Sequence, residues 1–447
     1  MKALKKILYG LLTLTLLLFI LLIFSIDRID RNHYRESGFY QEMLSKINSL
    51  EKVSLTEGRL HAGWSKQHIL PEKPMRIAGY GIRKEFEHVH DTVWARAVVL
   101  NNGKSKSAII SLELLIFPPI VAKLVRKELL KEGYSVDNLY FSATHTHNSI
   151  GGWADGLAGW IITGKYDPSY VAHLVNQITT AVKGAELALE PASLAFQRYF
   201  APELVTNRLV GDKGTTDPYI RLINIQTSSN KVAVITTFSA HAICLSPNEH
   251  SVSGDYPGRL VSILEQQGKI DFAIFCAGAV GSHAPALLYK ENFAYADSMA
   301  SAMFNHIATE STPFAYTDSV VLHSCNVPLL LREPQFKVHQ NYRLKPWIFN
   351  WLFKPEGASI QILRIGNNVL VGTPCDFSGE LVKPIEEHYK KKGLNLIITS
   401  FNGDYIGYIT KDEYYDLNKS ETFEMNWFGP HNGEYLSEVI MKLADKL

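Results

Sequence analysis

From Arg76 onward the hydrophobic pattern switches repeatedly between a period of two and a period near 3.6, and this limits the fold more than any other feature. "TVWARAVVL" and "SAIISLELLIF" read as strands joined by the polar turn "NNGKSK". "PIVAKLVRKELLKEG" reads as a helix stopped by glycine. "NLYFSATHTH" is a further strand, and "SYVAHLVNQITTAVKGAELAL" a further helix. Strands follow at "YIRLINIQ", "VAVITTFSAH", "FAIFCAG", "IQILRIGNNVLVGTP" and "NLIITSFNG", with a helix at "YADSMASAMFNHIATE". Strands interleaved with helices of this length predict an α/β protein, mixed β-sheets with surrounding helices. No internal repeat or low-complexity linker divides the run, so residues 71–447 are expected to form a single domain.

The amino-terminal residues follow a different rule. Lys2, Lys5 and Lys6 precede an uncharged run from Ile7 to Ile26, followed at once by "DRIDR". A membrane-spanning helix needs about 20 apolar residues. A cleavable signal has a shorter apolar core and a small-residue site, and none precedes Asp27. Residues 1–27 therefore read as an uncleaved signal anchor, with a cleaved signal as the rival. The lysines favour an internal amino terminus and Arg28 and Arg31 weigh against them, so the domain is expected outside the cytoplasm on a single pass. Residues 28–70 are polar and mixed, with an amphipathic stretch near Tyr40 to Leu50, and read as a stalk.

Composition excludes some partners. The 45 lysines and arginines nearly balance 44 aspartates and glutamates, and no basic run interleaves with aromatics, so nucleic acid is not expected. Cys244, Cys276, Cys325 and Cys375 are widely spaced without a CxxC pattern, which argues against a zinc ribbon or redox dithiol. They read as small core residues, with a disulfide open to an extracytoplasmic domain. Residues 335–357, "QFKVHQNYRLKPWIFNWLFKPEG", are rich in aromatics and lysine. They read as a surface excursion packed on the core, or alternatively as a lid or membrane-facing patch.

Several strand ends carry chemistry. His145 and His147, in "FSATHTHNSIGGW", lie two apart and on a strand would share a face. Neutral imidazole is a common zinc ligand, yet an H-x-H pair serves equally as satisfied polar histidines. "TTFSAHAICLSPNEHSVSGDYPG" brings His241, His250 and Asp255, "LVGTPCDFSGE" brings Asp376, and "SFNGDYIGYIT" brings Asp404, Tyr405 and Tyr408. Loops at strand ends build sites in α/β sheets. Alone, Asp376 would serve as a helix N-cap and Tyr408 as a half-buried strand residue.

"SATHTHNSIGGW", "FSAHAICLSPNEHSVSGDYPG", "CAGAVGSHAP", "GTPCDFSGEL" and "NGDYIGYIT", in this order, resemble the landmarks of the neutral/alkaline, non-lysosomal ceramidase family. "VHDTVWARAVVL", "VTNRLVGD" and "FGPHNGE" fit the same pattern. The resemblance runs from about Arg76 to the carboxyl terminus and covers the catalytic domain, without the family's immunoglobulin-like carboxyl-terminal domain. It implies a zinc ion (Zn2+) activating water to cleave the amide of an N-acylsphingosine. By motif, the ligands would be His145, His241, Asp376 and Tyr408; His147 would face the reacting carbonyl, and Arg208 would bind or polarise substrate. Three features depart from the pattern. Asp376 stands where the family has glutamate, Ala284 where it has its active-site serine, and no tyrosine in "YDLNKSETFEMNWFGPH" clearly matches a later catalytic one. Ser282, two residues before Ala284, would at most donate a hydrogen bond to the oxyanion.

The resemblance and the apolar amino terminus together lead to one expectation: a membrane-anchored, zinc-dependent amidohydrolase acting on ceramide or a related lipid. Two alternatives stand beside it. One is a catalytically silent relative that binds lipid or a partner; the other is a zinc hydrolase of a different amide or ester.

Overall fold

Two β-sheets pack face to face, and helices cover their outer faces. The computed structural model describes residues 2–54, 56–267, 269–286, 292–309 and 315–447. The larger sheet has eight strands in the order Phe272–Ala277, Val232–Phe238, Tyr219–Thr227, Glu190–Phe200, His61–His68, Trp94–Asn101, Lys106–Leu112 and Leu139–Ala143. The smaller has four: Leu322–Pro328, Ser359–Ile365, Asn368–Gly372 and Asn395–Thr399. Alternation along each strand builds the layers. Ala95, Ala97 and Val99 face the helices, whereas Val98 and Leu100 face the second sheet, where they join Leu363, Leu370 and Ile397 in one core. Both faces of these strands are buried, which explains their near-continuous apolar sequences.

Helices Pro119–Leu130, Pro168–Leu187, Asp255–Gln266 and Phe293–Thr309 cover the larger sheet, and Val382–Lys390 and Asn432–Leu443 cover the smaller. The helix expected to end at Glu310 is seen to Thr309; Glu310 lies outside the described residues. Helix Asp255–Gln266 is not among the elements expected from the sequence. Its proline falls in the first helical turn, where a missing N–H costs no hydrogen bond.

Within the two large sheets three strand pairs are parallel among the described residues: Val232–Phe238 with Phe272–Ala277, Lys106–Leu112 with Leu139–Ala143, and Asn368–Gly372 with Asn395–Thr399. Each needs a helical crossover. The motifs carrying His145, His241, Ser282, Asp376 and Tyr408 each follow the carboxyl end of one of these strands.

The segment 28–70 does not stand apart as a stalk. Strand His61–His68 lies inside the larger sheet, paired with Trp94–Asn101 along its whole length. Helix Gly38–Ser49 buries Tyr40, Met43 and Ile47 in the core under the smaller sheet, beside Tyr34. Even the residues next to the first helix are tied down. Strand Ile26–Arg28 pairs antiparallel with Tyr342–Leu344, and Arg332 donates to the carbonyls of Asp30 and Asn32. The polar residues of this stretch conceal a period of three to four in Tyr40, Met43 and Ile47, which is why the pattern looked like linker. Helix Lys2–Ser25 itself is long and apolar enough over Leu4–Ser25 to cross a membrane, and that stretch is not buried by the rest of the chain.

Candidate metal centre and its cavity

Strand Leu139–Ala143 stops two residues short of His145, which takes a left-handed φ of 66°. His145 and His147 therefore do not share a strand face as their spacing suggested. The loop instead turns both imidazoles inward, 4.7 Å apart between centroids and perpendicular. Close approach at Gly79 fixes the second one: a Cβ there would lie 2.8 Å from the Cα of His147, and its φ of +136° suits glycine. His241 follows the end of strand Val232–Phe238, and its ring centroid lies 4.5 Å from that of His145. The three imidazoles bring one nitrogen each within 4.8 Å of one another.

The tautomers of two of them follow from their partners. His145 Nδ1 lies 2.6 Å from the carbonyl of Leu115, and His241 Nδ1 lies 2.8 Å from that of Val280. A carbonyl only accepts, so each Nδ1 carries the proton and each Nε2 presents a lone pair. Asp376 Oδ1 lies 3.3 Å from both of these Nε2 atoms. Its Oδ2 accepts from the Tyr405 hydroxyl at 2.7 Å, while Oδ1 is buried with no donor in hydrogen-bonding geometry among the described residues. Tyr408 sits opposite Asp376 in a short parallel pair, and its hydroxyl lies 2.8 Å from His241 Nε2.

Electrostatics agree with this geometry. Burial holds the imidazoles neutral: it lowers His145 to about 3 and lowers His147 and His241 well below their ordinary value. Burial also raises Asp376 above the usual carboxylate range, despite His145, Tyr405 and Arg208 nearby. A buried carboxylate oxygen with no donor, facing two lone pairs, is an arrangement that a cation completes. The donor set of two imidazoles, a carboxylate and a phenol fits a divalent metal, and the carbonyl-bound Nδ1 atoms supply the outer support that metal-bound histidines have.

Arg208 borders this centre. Its Nη2 lies 3.1 Å from both His241 Nε2 and the Tyr408 hydroxyl, and its backbone N–H donates to the carbonyl of Ser282. Glu421 holds the guanidinium from the far side, 3.1 Å from Nε. No local pattern marked Glu421, which lies in the aromatic-rich stretch where a tyrosine was sought. Tyr80, whose ring stacks obliquely on His147 at 4.7 Å, and Arg83, which donates to the His147 carbonyl at 2.6 Å, were missed for the same reason.

Ser282 does not reach the cavity. Its hydroxyl is buried, accepting from Ser378 at 2.7 Å and lying 2.8 Å from His283 Nδ1. His283 Nε2 accepts from the Asp217 N–H, so its proton is on Nδ1 and points at Ser282. The Ser282 oxygen thus accepts from two neighbours, and the residue is not among those lining the cavity. Ala284 forms part of strand His283–Pro285, paired with Thr206. His250, Asp255 and Asp404 do not line the cavity either; Asp255 instead accepts N–H groups of Cys244, Leu245 and Tyr256, shaping the loop after His241.

The centre lies at the floor of a cavity of about 710 Å³. His145, His147, Arg208, Tyr405 and Tyr408 line its polar end. Its walls are apolar, with Ile116, Ile162, Phe349, Phe353 and Trp427 among them. Such a volume and lining take a mostly apolar molecule with one polar group directed at the floor.

Fold and site together define a mixed α/β protein whose strand ends gather side chains able to hold a metal ion beside an apolar cavity. Residues 71–288 match the family described as neutral/alkaline non-lysosomal ceramidase, N-terminal. That span holds His145, His147, Arg208, His241 and Ser282, while Asp376 and Tyr408 lie beyond it. The neutral ceramidase of Mycobacterium tuberculosis is 26% identical over 193 residues, 38% of this chain and 30% of that protein. The neutral ceramidase of Pseudomonas aeruginosa is 22% identical over 200 residues, 41% of this chain and 30% of that protein. The match thus spans less than a third of either curated relative. The crystal structure of neutral ceramidase from Pseudomonas aeruginosa has the same fold, with a TM-score of 0.73 at 18% identity, over 88% of this chain and 75% of that one. A ceramidase structure described as complexed with C2 is similar at a TM-score of 0.74, 17% identity and the same coverage.

Proposed function

We propose that this protein is a zinc-dependent amidohydrolase that cleaves the N-acyl amide of ceramide or a related lipid, held at a membrane by helix Lys2–Ser25 with its catalytic domain outside the cytoplasm. The observation that carries this reading is Asp376 Oδ1, buried without a donor among the described residues and 3.3 Å from two imidazole lone pairs, beside His145 and Tyr405, which line an apolar cavity. The family match over residues 71–288 supports the substrate class.

His145, His241, Asp376 and Tyr408 would hold the metal, a donor set suited to zinc. When bound, a divalent metal there supplies Lewis acidity and a nucleophile at neutral pH. The chain's own residues do the rest. The Arg208 guanidinium, steadied by Glu421, directs positive charge to where the amide oxygen gains negative charge. His147 stands beside the ligands, and its buried Nδ1 has no hydrogen-bond partner, leaving it to take and return a proton. The apolar walls seat acyl and sphingoid chains and exclude bulk water, which strengthens every charge interaction at the floor. Nothing in this scheme requires a side-chain nucleophile, so Ala284 in place of serine is compatible with it.

The test is metal content and hydrolysis of N-acylsphingosine measured on one preparation, alongside a panel of other N-acyl amides and esters. About one zinc per chain with turnover of the sphingolipid is the expected result. Bound zinc with turnover only of another amide or an ester would redirect the substrate. A chain that takes up no metal after gentle purification and zinc addition would overturn the reading.

A further inference from the structure

The rim of the cavity is built from three elements that each show one face to the cavity and another to the outside. The loop Gly79–Gly81 lines the cavity and continues into Ile82, which is 64% exposed. Helix Gly156–Thr163 turns Ala158, Gly159 and Ile162 inward and leaves Leu157, Trp160 and Ile161 exposed. Helix Pro346–Phe353 turns Phe349 and Phe353 inward, while Trp347 and Trp351 are 60% and 65% exposed. The two helices pack against each other, and Lys354 and Asp155 join them in an ion pair at 3.2 Å. Arg76 lies over the Trp160 ring at 5.2 Å. Six large apolar side chains around one opening, with basic groups among them, exceed the scattered exposure normal for a water-facing surface.

The path of the chain identifies what covers this rim. Ser25 ends the first helix, and Ile26, Asp27 and Arg28 pair directly with Leu344, Arg343 and Tyr342. The Lys345 N–H donates to the Ser25 carbonyl at 2.9 Å, and its Nζ lies over the Phe24 ring at 5.7 Å. Helix Pro346–Phe353 begins at the next residue. Trp347 is three residues from the strand partner of Ile26, a reach of roughly 10 Å at 3.3 Å per residue. No slack separates the apolar helix from the cavity rim.

We propose that helices Gly156–Thr163 and Pro346–Phe353, with Ile82, seat the mouth of the cavity in the interfacial layer of the bilayer that the first helix crosses, so that lipid passes from the leaflet into the cavity without entering water. The proposal rests on reading the first helix as a membrane span and deepens it from a tether to a rigid mount. Tryptophan suits this depth, because its ring is apolar and its N–H is polar. Lys345, Lys354 and Arg76 are placed to meet headgroup phosphates.

The chain provides its own probe. All seven tryptophans lie at or beyond residue 64, so none is in the first helix. The full-length chain would be reconstituted in vesicles of phosphatidylcholine brominated near the headgroup end of its acyl chains, and in unbrominated vesicles. The expected result is quenching of tryptophan emission by the brominated lipid, most of it lost in the triple variant Trp160→Phe, Trp347→Phe, Trp351→Phe, which still floats with the vesicles. A wild-type chain that resists alkaline carbonate extraction yet emits equally in both lipids would overturn the seating while leaving the span intact. A chain stripped by carbonate would overturn the span and the seating together. Fluorescence does not depend on turnover, so the proposal stands or falls separately from the catalytic reading, and the wild-type comparison decides it even if the triple variant folds poorly.

Discussion

His145 and His147 were legible as a pair, although the geometry that makes them useful was not. Their spacing suggested a shared strand face, whereas the strand ends at Ala143 and a left-handed φ at His145 aims the rings. Hydrogen bonds that fix tautomers, from His145 and His241 to the carbonyls of Leu115 and Val280, join residues far apart in sequence and leave no local pattern. Replacing His145 by alanine is expected to abolish metal uptake, while His147→Ala keeps the metal and loses about 10²–10⁴-fold in turnover. Metal content and kinetics on both variants check the division of roles, and equal metal in both would refute it. Gly281 supplies a subtler test, because a Cβ there would lie 2.4 Å from the carbonyl oxygen of Asp376. Gly281→Ala should displace the carboxylate and weaken metal binding by about 10–100-fold, the range found when support behind a ligand is disturbed. Ser282→Ala should leave metal content unchanged and lower unfolding stability by about 1–3 kcal/mol, since Ser378 and His283 lose a buried partner. Urea unfolding would read that difference.

Among the elements, the strands and long helices of the larger sheet were legible because burial on both faces leaves plain apolar runs. Helix Gly38–Ser49 was visible only as an amphipathic patch, since its packing partner, helix Asn432–Leu443, lies nearly 400 residues later. The contact between these regions centres on Glu438. Its carboxylate accepts from the hydroxyls of Tyr34 at 2.7 Å and Tyr40 at 2.6 Å, and from Arg35 at 2.9 Å. Burial pulls the carboxyl upward, but these hydrogen bonds outweigh it and hold it down at about 2, against an ordinary 4.5. The folded chain therefore binds fewer protons than the unfolded chain between those values. The contribution of Glu438 is fully present above pH 4.5 and is lost as the pH falls toward 2. Thermal unfolding followed across that window should show a flatter acid limb for Glu438→Gln than for the wild type. Parallel curves would mean that the carboxylate is not the clasp.

At the scale of the molecule, the α/β class and the position of the site at strand ends were readable, and the second sheet as a separate layer was not. Which face of a doubly buried strand meets helices and which meets a sheet depends on partners, not on the pattern itself. The same holds for residues 28–70, whose polar surface hides side chains that reach the core. Removing residues 1–25 and removing residues 1–31 should consequently differ. The longer deletion strips strand Ile26–Arg28 from Tyr342–Leu344 and breaks the Arg31–Asp416 pair and the Arg332 contact to Asp30. It should unfold at lower temperature than the shorter one by calorimetry.

That strand pairing also imposes an order on biosynthesis. Ile26 to Arg28 leave the ribosome early, yet their partners Tyr342 to Leu344 are more than 300 residues away. At about 5–20 residues per second, the first strand waits roughly 15–60 s with its edge unpaired. During that interval the amino-terminal segment is an open seam, and a protease directed at residues 28–31 should cut nascent chains that end before residue 344 and spare completed ones.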